Sequence, residues 1–187
     1  SFAGQHGTYY YVDAAQLLPM VRACWASLWS KEAVSYRATN GIDHATTYMA
    51  VLVQQMIPSE VSGVTFTLNP VSGARDEVVV ESSWGMGAGI VDGRVTPDRY
   101  VLGRSDLAIR ERRIAHKRVR VSTTLRPDAV GRVVQVPLEQ RQAETLSDDL
   151  VVTIARWAVQ AEAHFGTPPD VEWAVAGRRV YLLQSRP

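Results

Sequence analysis

Cysteine occurs once in these 187 residues, so no internal disulfide can staple the fold. Cys24 lies in an apolar helical pattern and reads as a packed thiol. No apolar run approaches the ~20 residues that a membrane-spanning helix needs. An excess of either charge is also missing: 20 Lys and Arg against 19 Asp and Glu leave +1, which removes the electrostatic case for a nucleic-acid or anionic-membrane partner. The first residues, Ser1 to Gly7, lack both the basic and the apolar region of a signal peptide, and the expected location is cytoplasmic. What is present is ordinary for a folded domain, 46% hydrophobic and 21% charged, and the length suits one domain. The loop-like start and the strand-like run ending at Pro187 suggest a piece excised from a longer chain.

The spacing of Leu17, Val21, Cys24, Trp25 and Leu28 predicts a helix over 13–29, with Pro19 near its first turn, and a second helix follows over 31–38. Strands are expected at 46–57, 61–68, 77–82, 99–102 and 117–121, the second and third joined by the Asn-Pro-Val-Ser-Gly turn at 69–73. Gly85, Gly87, Gly89 and Gly93 crowd one stretch too densely for a regular element. Residues 123–141, with Pro127, Gly131 and Pro137, have no clear period and read as a surface excursion. Ser147 is placed to cap a helix whose first turn carries Asp148 and Asp149, whose stripe is Leu150, Ile154, Trp157, Ala158, Ala161 and Phe165, and which stops at Gly166.

The last eighteen residues alternate like a hairpin around Gly177. Val171, Trp173, Val175, Tyr181 and Leu183 would face the core. Asp170, Glu172, Gln184 and Arg186 would share the other face. A three-residue loop at 177–179 pairs Ala176 with Val180, and counting outward sets Glu172 opposite Gln184 and Asp170 opposite Arg186. A two-residue loop would shift this register by one. Two carboxylates and an amide oxygen are hard ligands suited to magnesium, and an arginine beside them suits a phosphoryl group. The same residues also fit an exposed hairpin face with ordinary charges. Ser1 to Thr8 could form an anion nest or a plain turn. Val51 to Ile57 could be an adenine hinge or an interior strand.

Six ordered segments carry a resemblance: Ser-Phe-Ala-Gly-Gln-His-x-Thr (1–8), Cys-Trp-Ala-Ser-Leu (24–28), Val-Gln-Gln-Met (53–56), Ser-Gly-Val-x-Phe-Thr-x-Asn-Pro-x-Ser-Gly (62–73), Trp-Gly-Met-Gly…Val-x-Gly-x-Val-x-Pro-Asp (84–98) and Asp-x-Glu-Trp-Ala…Leu-Gln-Ser-Arg-Pro (170–187). From end to end the chain resembles the ATP-binding domain of phosphoenolpyruvate synthase, pyruvate phosphate dikinase and rifampin phosphotransferase. The resemblance implies an α+β, ATP-grasp fold, with residues 1–187 forming the larger part of the domain and an N-terminal subdomain missing. It implies ATP and magnesium as cofactors. Gln55, Met56 and Ile57 would line the adenine hinge, and the loop from Ser1 to Gly4 would cover the phosphates. Glu172 and Gln184 would hold magnesium with Asp170 nearby, and Arg186 would contact the terminal phosphates.

In such enzymes a phosphoryl group passes from ATP to a histidine on a separate swivelling domain and then to pyruvate or an antibiotic hydroxyl. The resemblance therefore implies other domains of the same parent chain as partners, and an ATP-dependent phosphotransferase. The carrier histidine is not expected among His6, His44, His116 or His164. Family members also carry a preceding lysine and arginine that clamp the phosphates, so this piece alone is expected to be inactive. Gly7 and Ala88 stand where the family often has an acidic residue, which also leaves open a non-catalytic nucleotide-binding module.

Overall fold

The computed structural model describes residues 6–122 and 131–186, which fall into two compact units, Ser1–Met56 and Ile57–Pro187. Ser1, Gly4 and the first half of the 123–141 segment lie outside the described residues. Among the described residues no helix is long and apolar enough to cross a membrane.

The first unit holds α1 (Leu17–Ala26), a 3-10 turn (Ser27–Trp29) and α2 (Lys31–Thr39). Helix α2 starts where Ser30 turns extended and its hydroxyl accepts from Ala33 N at 3.2 Å. The unit is organised around Arg37, 1% exposed, which donates to the Leu28 carbonyl at 2.6 Å and to His44 Nδ1 at 3.0 Å and lies 5.4 Å from the Trp29 ring centre. Cys24 is half-buried rather than enclosed, with its thiol on the Gly7 carbonyl. The strand expected over 46–57 does not form. Its β-branched composition can make a strand only beside another strand, and among the described residues it joins neither sheet; Tyr48 and Leu52 stand 88% and 83% exposed.

The second unit is a six-stranded antiparallel sheet backed by one helix, with strands β1 (Val61–Phe66), β2 (Glu77–Trp84), β3 (Asp98–Gly103), β4 (Ile109–Arg113), β7 (Asp170–Ala176) and β8 (Arg179–Arg186). Their order across the sheet is β4-β3-β2-β1-β7-β8. A separate pair, β5 (Val119–Val121) and β6 (Val133–Gln135), joins the main sheet through the Gly85–Val121 bridge. The described half of the 123–141 segment is thus more ordered than expected, and Val136 is 1% exposed. The glycine-dense stretch does contain a regular element, α3 (Ala88–Val91). Gly85, at φ +82°, turns the chain against Val121, where any Cβ would strike the Val121 carbonyl.

Helix α4 (Asp148–Phe165) begins at Ser147, whose backbone turns as a cap but whose hydroxyl makes no cap bond; the acidic first turn remains as its N-terminal stabiliser. It ends at Gly166 in the left-handed region, φ 74°. Its buried face is Val151, Ile154, Ala155 and Ala158, the first three packed with Val78, Val80, Tyr100, Leu102 and Trp173 of the sheet. That face is rotated from the expected stripe, and Phe165 is 56% exposed. Each large aliphatic side chain so buried contributes about 1.5–3 kcal/mol. Trp173 is 0% exposed and lies across β1 at Gly63, with its indole N–H donating to Thr65 Oγ1 at 2.9 Å.

Candidate functional site

The hairpin reaches the expected pairing by an unexpected route. Its loop has two residues, Gly177 and Arg178, both with positive φ, and Ala176 pairs with Arg179 rather than Val180. Near the turn the alternation is consequently shifted: Val180 is 8% exposed and belongs to the core, while Tyr181 pairs with Ala174 on the other face. A bulge between Trp173–Leu182 and Glu172–Gln184 inserts Leu183 as one extra residue. That residue restores the count. Glu172 stands opposite Gln184 and Asp170 opposite Arg186.

The four side chains share the face of the sheet that is turned from α4, since cross-strand partners point the same way and alternate along each strand. Glu172 is the hub. Its Oε1 accepts from Gln184 Nε2 at 3.1 Å and from Arg186 Nη2 at 3.3 Å. Burial pushes the Glu172 carboxyl above its usual range, Arg186 pulls it back and the charge of Asp170 adds to the rise. Arg186 also keeps a buried Nε without a hydrogen-bond partner among the described residues. Because the Gln184 amide nitrogen is turned to Glu172, its amide oxygen remains available as a ligand. Among the described residues no group of three or more His, Cys, Asp or Glu is arranged to hold a metal ion, so a cation here would rely on two carboxylates, one amide and oxygens from a ligand.

Gln55 and Met56 close the first unit and Ile57 opens the second, where its carbonyl accepts from Ser59 N at 2.8 Å. Among the described residues, cavities open elsewhere in the second unit. One of about 500 Å³ lies beside β4, and one of about 910 Å³ lies between α4 and the hairpin, lined by Leu150, Trp157, Phe165 and Leu182. Neither is lined by any of the four clustered residues.

Sequence reasoning missed the other end of this face. The registers of five strand pairs set one straight row across the sheet: Arg113, Arg99, Glu81, Val64, Glu172 and Gln184. Glu81 and Arg99 form an ion pair at 3.8 Å, and Arg99 is held by Asn69 Oδ1 at 3.1 Å. Single-strand alternation could place Glu81 on a face, but only the pairing of three strands, β2, β1 and β7, puts it in line with Glu172.

The family description that matches the chain, over residues 1–187, is that of the pyruvate phosphate dikinase AMP/ATP-binding domain. Among similar proteins, a probable phosphoenolpyruvate synthase of Pyrococcus horikoshii is 40% identical across the whole chain, which covers 24% of that protein. The prodigiosin synthesizing transferase PigC of Serratia marcescens is 39% identical and the rifampicin phosphotransferase of Bacillus subtilis 37%, the chain covering 21% of each. It therefore spans about a quarter or less of these relatives.

Proposed function

The chain belongs to the pyruvate phosphate dikinase AMP/ATP-binding domain family, and on that premise we propose that it is the larger part of an ATP-grasp domain that binds ATP with magnesium for phosphoryl transfer. The observation that carries this reading is the convergence of Glu172, Gln184 and Arg186 through hydrogen bonds on one sheet face. Half of a two-part cleft would hold ligand groups on such a face rather than in a closed pocket. The donor set fits magnesium: Glu172 and the Gln184 amide oxygen supply hard ligands, with Asp170 adding negative charge beside them. Magnesium, when bound, would neutralise phosphate charge. Arg186 supplies the remaining cationic donors, its Nε included, to the terminal phosphates as negative charge grows on their oxygens.

Gln55, Met56 and Ile57 would meet the adenine, and Ser1 to Gly4 would close over the phosphates. In the parent chain the phosphoryl group would pass to a histidine on another domain and then to pyruvate, in keeping with the phosphoenolpyruvate synthases among the relatives. Incubating the full parent protein with ATP labelled in its phosphates tests this. An acid-labile, base-stable protein label is expected, and it disappears in Arg186→Ala and Glu172→Ala. A label undiminished in both variants sinks the site assignment.

A further inference from the structure

Glu81 lies in the same cross-strand row as Glu172, separated from it by β1, where Val64 offers only an apolar surface. Two interstrand steps put the two backbone positions about 10 Å apart. The Glu81 carboxylate is mostly covered, with its side chain 22% exposed, yet it accepts no hydrogen bond among the described residues. Its ion pair with Arg99, at 3.8 Å, is too long to satisfy either oxygen. Burial raises its carboxyl above the usual range and Arg99 opposes the rise. With 22% of its side chain still exposed, the carboxyl can take hydrogen-bond donors from a ligand laid on this face. Arg99 cannot swing away to relieve this, because Asn69 holds it and Asn69 is itself fixed by Glu77 at 2.6 Å.

We propose that Glu81 is a specificity-determining residue that accepts hydrogen bonds from the vicinal hydroxyls of the nucleotide ribose. The inference rests on the nucleotide reading above, with the phosphates at the Glu172–Arg186 end of the row. A nucleotide reaching from that end across Val64 lays its sugar against an apolar surface and brings its 2′ and 3′ hydroxyls to the two free oxygens of one carboxylate. A carboxylate is suited to a diol because it offers two acceptors in one plane. The neighbouring Arg99 favours its ionised form against the opposing effect of burial.

The test is calorimetric titration of the full parent protein, with magnesium, by ATP and by 2′,3′-dideoxy-ATP, in the wild type, Glu81→Ala and Glu81→Gln. The wild type is expected to prefer ATP by about 10- to 100-fold, the range for hydrogen bonds to a charged group. In Glu81→Ala the preference falls to within about threefold, and Glu81→Gln, which keeps one acceptor oxygen, falls between. A merely structural role would weaken both nucleotides alike and leave the ratio unchanged. An unchanged ratio in a Glu81→Ala protein that still binds ATP overturns the inference, as does a shift only in magnesium half-saturation. Failure of the wild type to bind ATP at all would instead overturn the nucleotide reading.

Discussion

Replacing Gly63 by alanine tests the packing that carries the site. Gly63 pairs with Ser82 on one side and Trp173 on the other, in the strand between Glu81 and Glu172. A Cβ there would overlap the Glu81 carbonyl oxygen and Cζ2 of the indole, and even the third-nearest atom, Trp173 Cη2, would lie 2.9 Å away, when ordinary contact begins near 3.4 Å. The backbone cannot yield easily because it is bonded on both edges. Overpacking of this kind costs about 1–3 kcal/mol. If the indole turns aside it also leaves Thr65, a further ~1 kcal/mol. A total of about 2–4 kcal/mol corresponds to a fall in melting temperature of roughly 4–16 °C for a chain of this size. Gly87→Ala is the control, since φ is −62° and the nearest atom to its Cβ would be 3.7 Å away. Thermal and urea denaturation of both variants, followed by circular dichroism, should separate them clearly. A Gly63→Ala protein within about 0.5 kcal/mol of wild type would refute the reasoning.

Lys117→Met should cost about 3–5 kcal/mol, because it strands the fully buried Asp98 carboxylate, which also gathers Ala115 N, Thr145 N and Thr145 Oγ1; urea unfolding measures it, and a loss under 1 kcal/mol contradicts it. Magnesium affinity should depend on pH through Glu172. Its carboxyl titrates above the ordinary 4.5, and magnesium needs the ionised form, so affinity falls as pH is lowered while still above that value. The same raised value means that Glu172 itself favours folding increasingly as pH falls through its folded range, so weaker binding there is not loss of fold. Titrations at several pH values in the wild type and Glu172→Gln check this, and an identical pH slope in the two would count against it.

Much of this architecture was legible because some signals are local. The acidic first turn of α4 and its stop at Gly166 depend on neighbouring residues alone, and both stand. The alternation of β7 placed Val171, Trp173 and Val175 inward correctly. The hairpin succeeded for a different reason: the loop expected at 177–179 and the bulge at Leu183 each add one residue, so the wrong turn gave the right pairing at Glu172. What failed was non-local. Val51 to Ile57 has strand composition but joins neither sheet among the described residues, and β4 escaped notice because Arg110, Arg112 and Arg113 make a charged edge strand with no apolar alternation. Glu81 was unreadable for the same reason, since its alignment with Glu172 exists only in the register of β2, β1 and β7.

Calorimetric titration of the full parent protein with ATP, in the presence and absence of magnesium, addresses the site most directly when wild type is set beside Glu172→Ala and Arg186→Ala. The expected result is binding in the wild type that magnesium strengthens, a magnesium effect that vanishes in Glu172→Ala, and affinity reduced about 10-fold or more in Arg186→Ala. ATP binding equally tight in all three, with the magnesium effect intact, would contradict the assignment of this hairpin face as the cation and phosphate site.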